Sequence, residues 1–292
     1  MKKILLILLL SVAALVVFAQ ADTTKYWTIK GDNSLNFSQV SFKNWSAGGE
    51  NSISLNFLLD YSANYNKNKL SWNNNMIIGY GLTRQGDMKT KKSDDRIDFS
   101  SMVGWKVSDH WDVSGFVGFK TQFSKGYKYS EVGGVNVRND ISNFMAPAYV
   151  LAGVGMDYKP VDFFSLLISP ATLKMTIVNV DEYVTIFGLD EGDNVKSEFG
   201  ASVKAIFKKE IITNVTLKSK LELFTSYMDN IKNVDVLFDV VVNMKINSFL
   251  STNLVLNMIY DDDVETVEED GTIRGARLQY MQLFGLGLTY NF

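Results

Sequence analysis

The chain has 292 residues, with 29 basic against 32 acidic side chains and a net charge of −3. That balance gives no reason to expect nucleic-acid binding, and the absence of Cys excludes disulfides, thiol catalysis and Cys-ligated metals. A single histidine, His110, further limits acid–base and metal chemistry.

Lys2 and Lys3 precede an apolar run from Ile4 to Leu10 that continues to Phe18, and Val17 and Ala19 supply the small-residue pattern of a cleavage site. This reads as a secretory signal peptide over residues 1–19, leaving 20–292 as one mature domain. No mature segment has the eighteen or so consecutive apolar residues of a spanning helix. Three prolines, 21 glycines and 13% aromatics suggest many strands instead.

A weak strand is expected from about Thr28 to Phe42. Ile53, Leu55, Phe57, Leu59 and Tyr61 then share one face before a reversal at Asn66-Lys67-Asn68. Leu70, Trp72, Met76, Ile78, Tyr80 and Leu82 follow, then a loop from Gln85 to Asp94. Ile97, Phe99, Val103, Trp105 and Val107 lead into the turn at Ser108-Asp109-His110, and Trp111, Val113, Val117, Phe119 and Phe123 return before a polar loop from Gly126 to Ile141.

Val150 to Tyr158 turns at Lys159-Pro160-Val161-Asp162 into Phe164, Leu166 and Ile168, with a bulge or bend expected at Pro170. A loop from about Asn179 to Val195 precedes Phe199 to Phe207. Val215 to Leu223, a reversal near Asp229, Val234 to Ile246, a turn at Asn247-Ser248 and Leu250 to Met258 come next. After an acidic loop from Asp261 to Gly271, Leu278, Tyr280, Phe284, Leu286, Leu288, Tyr290 and Phe292 share the last apolar face.

Twelve strands result, and short turns and long loops separate onto opposite ends. This predicts an all-β fold, an antiparallel transmembrane β-barrel in the bacterial outer membrane with periplasmic turns and extracellular loops. Closure would pair every backbone group, as hydrocarbon demands. A final strand ending Tyr-x-Phe also resembles the signal by which the outer-membrane insertion machinery recognises its barrels. Trp72, Trp105, Trp111, Tyr158, Phe207, Tyr290 and Phe292 fall near the inferred periplasmic rim, and Tyr80, Phe123, Tyr227, Tyr260 and Tyr280 near the outer one, as two aromatic girdles. The alternative is a secreted β-sandwich, in which the apolar face marks a core.

Asn44-Trp45-Ser46-Ala47-Gly48-Gly49-Glu50-Asn51-Ser52, the stretch from Ser169 to Val178, Leu223-Phe224 and Ile259-Tyr260-Asp261-Asp262-Asp263 together resemble the family catalogued as domain of unknown function 3078. The resemblance runs over the mature chain and implies a Bacteroidetes outer-membrane protein with no assigned activity. It carries no catalytic residue across.

Chemistry is sought in the lumen and the loops. Glu198 and Lys204, then Lys218, Lys220 and Glu222, then Asp235, Asp239 and Lys245 lie opposite the apolar face on three successive strands. Pairing through the turns would bring Lys204 near Lys218 and Glu222 near Asp239. The group is either an ion-pair network filling a narrow barrel or a charged stripe orienting a polar solute. The loop holding Tyr183, Ile186, Phe187 and Leu189 is unusually apolar, suited to constrict the mouth, cover a rim or contact another protein, or simply to cap the barrel as a small β-hairpin. Asn44 to Gly49 reads as a tight glycine-shaped turn.

Asp261, Asp262, Asp263, Glu265, Glu268, Glu269 and Asp270 could gather a divalent cation or bridge to lipopolysaccharide through one, but they lack the glycine and spacing of a calcium loop and read better as a solvated acidic loop. No metal or cofactor is expected. The expected partners are membrane lipid and lipopolysaccharide, with no functional protein partner named. An outer-membrane hydrolase would need His110 as its base, yet a turn on the periplasmic side is the wrong place for it, so no catalysis is expected. The functional expectation is a small-solute pore or solute-binding barrel; the alternative is a non-conducting structural or assembly barrel with a plugged lumen.

Overall fold

The computed structural model describes residues 26–41, 50–86, 90–132, 135–228, 231–264, 266–267 and 273–291. The signal segment, the Asn44 to Gly49 turn, Glu265, Glu268 to Asp270 and Phe292 lie outside the described residues.

In chain order the strands are β1 (Trp27–Val40), β2 (Ser52–Lys67), β3 (Leu70–Gln85), β4 (Lys91–Lys106), β5 (Trp111–Thr121), β6 (Gly126–Val132), β7 (Val135–Ser142), β8 (Ala148–Val161), β9 (Phe164–Ile177), β10 (Val195–Ile212), β11 (Val215–Ser226), β12 (Asp235–Lys245), β13 (Leu250–Tyr260), β14 (Thr266–Val267), β15 (Ile273–Arg274) and β16 (Gln279–Asn291). Twelve close into a single antiparallel barrel in the order β1-β16-β13-β12-β11-β10-β9-β8-β5-β4-β3-β2. Except where small loop hairpins intervene, each strand pairs with its neighbour in sequence. The last strand closes on the first through the register Asn36↔Gly287 to Asp32↔Asn291.

The barrel is apolar outside and polar inside. Leu35, Phe37, Phe57, Trp105, Val154, Phe199, Phe284 and Leu288 are exposed, while Ser34, Asn36, Asn56, Ser114, Asp157, Thr172, Glu198, Ser202 and Asn253 are buried. A β-sandwich would bury the first set, so the alternation marks a wall that faces outward. Barrel strands run from eleven to eighteen residues, beyond the five or six usual in soluble sheets.

Short connections gather at one end. Asn68 at φ 55 and Asn214 at φ 66 make two of these reversals, because Asn tolerates the left-handed region that tight hairpins require. The expected disturbance at Pro170 is present as register shifts between Val154 and Met156 on β8 and between Gly200 and Ser202 on β10.

Several boundaries differ from expectation. β5 ends at Thr121, and the 126–141 segment holds the two-stranded hairpin β6–β7. β4 begins at Lys91, inside the expected loop. The 181–189 segment is not a hairpin but two 3-10 turns, Asp181–Tyr183 and Thr185–Phe187, closed by Gly188 at φ 74.

Candidate functional site

The expected charged stripe lies on β10, β11 and β12, and the register decides what it does. Lys204 stands opposite Glu222, at 3.1 Å, and not beside Lys218. Asp239 stands opposite Lys220, also at 3.1 Å, and not beside Glu222. The first follows from the β10–β11 reversal, a tight turn at Thr213-Asn214 preceded by a bulge between Glu210 and Ile212. The second follows from the separate β11–β12 register, which sets Lys220 against Asp239. Lys208 faces a like charge, Lys218.

The stripe also reaches across the barrel. Lys218 Nζ lies 2.7 Å from Asp60 on β2 and 3.1 Å from Asp32 on β1. Lys220 Nζ lies 3.1 Å from Asp98 on β4. Glu222 accepts a hydrogen bond from Lys120 on β5. None of these strands neighbours β11, so the contacts pass through the lumen, and Lys218, Lys220 and Glu222 face it. Arg96 on β4 adds a long hydrogen bond, 3.5 Å, to Asn257 on β13.

A second cluster sits toward the long-loop end. Lys174 on β9 lies 2.6 Å from Asp235, 3.0 Å from Asp261 and 3.7 Å from Glu198, with its ammonium 5.5 Å from the centre of the Phe224 ring. Lys196 lies 2.7 Å from Asp263 and 4.0 Å from Glu198. Asp261 and Asp263 therefore hold the start of the β13–β14 connection against β9 and β10. Among the described residues, these two carboxylates are taken by lysines, and no metal-holding group of acidic or histidine side chains forms.

The apolar loop closes over this cluster. Tyr183, Val184 and Leu189 are buried with Ala146 and Val178, and Phe187 packs against them; Ile186 is half-buried. Gly188 approaches the Asp263 backbone so closely that a Cβ would lie 2.8 Å from its carbonyl oxygen. Loops from the β7–β8, β9–β10 and β13–β14 connections thus meet over one mouth. Outside the strands, burial and the nearby Asp140 charge hold the Tyr183 phenol above its ordinary range.

Lys245 lies apart from both clusters, exposed at the short-turn end of β12, with no ion pair among the described residues. His110 is exposed in its turn, its ring 6.5 Å from that of Tyr158. The partners that sequence reasoning missed are Asp32, Asp60, Asp98, Lys120, Lys174 and Lys196. Asp60, Asp98, Lys120 and Lys174 each alternate with outward apolar residues, so the signal that marks the β10–β12 stripe is present on their strands too.

The description "Protein of unknown function (DUF3078)" belongs to a family whose profile matches residues 37–127. The match includes the Asn44 to Ser52 motif, and the later motifs fall outside it. No curated protein matches the chain. Among solved structures, the chain is similar to the translocator domain of autotransporter NalP from Neisseria meningitidis, with 8% identity, TM-score 0.40, 96% of this chain covered and 93% of that one. It is also similar to the COG4313 outer membrane channel from Pseudomonas putida F1, with 9% identity, TM-score 0.39, and 94% and 100% covered. A third similarity is to a Pseudomonas aeruginosa FadL homologue, with 13% identity, TM-score 0.30, and 91% and 76% covered.

Proposed function

We propose that the chain is an outer-membrane β-barrel whose polar lumen handles small polar solutes and is held shut at its outer end. The membrane part of this reading rests on the outer wall. Each large apolar side chain left in water would cost roughly 1.5–3 kcal/mol, and the exposed band as a whole would cost tens, against a typical net stability of about 5–15 kcal/mol. Lipid removes that cost. Short turns then face the periplasm and the loops around Tyr183 and Asp263 face outward.

One observation carries the solute reading. The ion-paired side chains at mid-lumen keep contact with water, with Lys220 20% and Asp98 21% exposed, and toward the outer end Lys174 is 9% and Glu198 5% exposed beneath the more open pair of Lys196 and Asp263. A wet, charged middle beneath the buried Lys174–Glu198 pair describes a polar path with a closed outer door.

The bridging lysines favour a second reading. Lys220 holds carboxylates on two sides of the lumen and Lys218 reaches across it to Asp32 and Asp60, which also suits a non-conducting barrel with a structural or assembly role. No catalytic role is assigned to His110 or any other residue. On either reading the partners are outer-membrane lipid and lipopolysaccharide, with the insertion machinery acting during biogenesis.

Single-channel recording in planar bilayers tests the choice. Steps with reproducible ion selectivity support the solute path. A folded barrel that stays silent both as wild type and after Lys174→Met with Lys196→Met overturns it in favour of the plugged barrel.

A further inference from the structure

At the short-turn end, the β2–β3 hairpin and the end of β4 form a groove on the outer wall, lined by Tyr65, Lys67, Asn68, Lys69, Leu70 and Trp105. The backbone builds it: Leu70 pairs with both Lys67 and Trp105, so the turn overhangs the outward face of β4. Trp105 is 55% exposed, and Lys67, Asn68 and Lys69 are exposed.

The chemistry is split by height. On the wall side are the flat apolar surfaces of Trp105 and Leu70, beside a ring cluster in which Trp27 lies 5.3 Å from Tyr65 and 5.7 Å from Trp72. At the rim stand two ammonium groups. Lys67 Nζ lies 4.8 Å above the Tyr26 ring, and among the described residues no carboxylate lies within ion-pair reach of Lys67 or Lys69. The adjacent Lys106, by contrast, is 3.7 Å from Asp109. Two uncompensated cations above exposed aromatic and aliphatic surface form a match for a molecule that is anionic at one end and apolar at the other.

We infer that this groove is a binding site for the phosphate headgroup of an anionic glycerophospholipid, its acyl chains lying along Leu70 and Trp105 and its phosphate between Lys67 and Lys69. The inference rests on the membrane reading above, since only that reading places acyl chains against this wall. It is independent of whether the lumen conducts.

The test uses the full mature protein reconstituted in vesicles of phosphatidylcholine alone, or of phosphatidylcholine with phosphatidylglycerol, followed by gentle extraction and native mass spectrometry of retained lipid. Retention of phosphatidylglycerol over phosphatidylcholine is expected. The double variant Lys67→Gln with Lys69→Gln should weaken that retention roughly 30-fold, about fivefold for each lysine, while Lys67→Arg with Lys69→Arg should keep it. Strand content by circular dichroism shows that the variants fold. Excess inorganic phosphate should not displace the lipid; displacement at modest phosphate concentration would mean a simple anion site and overturn the lipid assignment. Equal retention of both lipids by an inserted wild-type barrel, or loss of preference in the arginine variant, also overturns it. Failure to insert into either vesicle would instead sink the membrane reading.

Discussion

Lys220 on β11 and Asp98 on β4 meet at 3.1 Å although β10, β9, β8 and β5 separate them along the shorter way round the wall. The same ammonium lies 3.1 Å from Asp239 on the adjacent β12. One lysine therefore ties two sides of the barrel together. Lys220→Met should leave two lumen carboxylates uncompensated and lower stability by about 2 kcal/mol, below the 3–5 kcal/mol of a fully buried pair because both ends keep contact with water. Urea unfolding of Lys220→Met, Asp98→Asn and the double variant measures the coupling. Additive losses would deny a direct interaction.

The seam around Pro170 is built for residues without a Cβ. An added Cβ at Gly155 would strike the Ile168 carbonyl, and one at Gly200 the Thr225 carbonyl. Backbone cannot retreat as a flexible side chain can. Gly155→Ala or Gly200→Ala should cost upwards of about 2 kcal/mol and reduce the folded yield, whereas Gly192→Ala adds no contact and is opposed only by its φ of 89. Comparing folded fractions after refolding checks the contrast; equal yields would contradict the packing account.

Removing the lysines of the outer cluster should loosen the mouth. With Lys174→Met and Lys196→Met, the carboxylates of Glu198, Asp235, Asp261 and Asp263 lose their cations and repel one another. The expected result is more frequent open steps in bilayers and faster protease cleavage near Gly188. Unchanged cleavage would show that the apolar packing of Tyr183, Val184 and Leu189 holds the lid alone.

Alkaline pH should act on the same lid. The Tyr183 phenol titrates above its ordinary value of 10.0 because of burial and the Asp140 charge. A raised folded-state pKa means that the fold favours the neutral phenol, so its contribution is complete below pH 10 and is lost as pH rises through the folded value. Cleavage in the 181–189 segment should therefore accelerate above pH 10 in the wild type. Tyr183→Phe should abolish that alkaline step.

Strand alternation determined the fold from the sequence because a barrel wall between two solvents imposes a period of two on every strand. The apolar side chains of β2, β3, β12 and β13 declared the outward face without any knowledge of neighbours. The turn at Asn66-Lys67-Asn68 was legible for the same local reason, since Asn68 marks the reversal by its own backbone preference, whereas Asn214 emerged only with the structure. The same alternation put Lys218, Lys220 and Glu222 on the inner face.

Which charge meets which was beyond the sequence. A bulge near Glu210 sets Lys204 against Glu222, and closure of the ring brings Asp60, Asp98 and Lys120 within reach of β11. Both depend on distances between residues far apart in the chain. The lid is similar: two 3-10 turns bury Tyr183 and Leu189 against Val178 of their own connection and Ala146, which arrives from the β7–β8 connection. Local chemistry chose the faces; the three-dimensional closure of the barrel chose the partners.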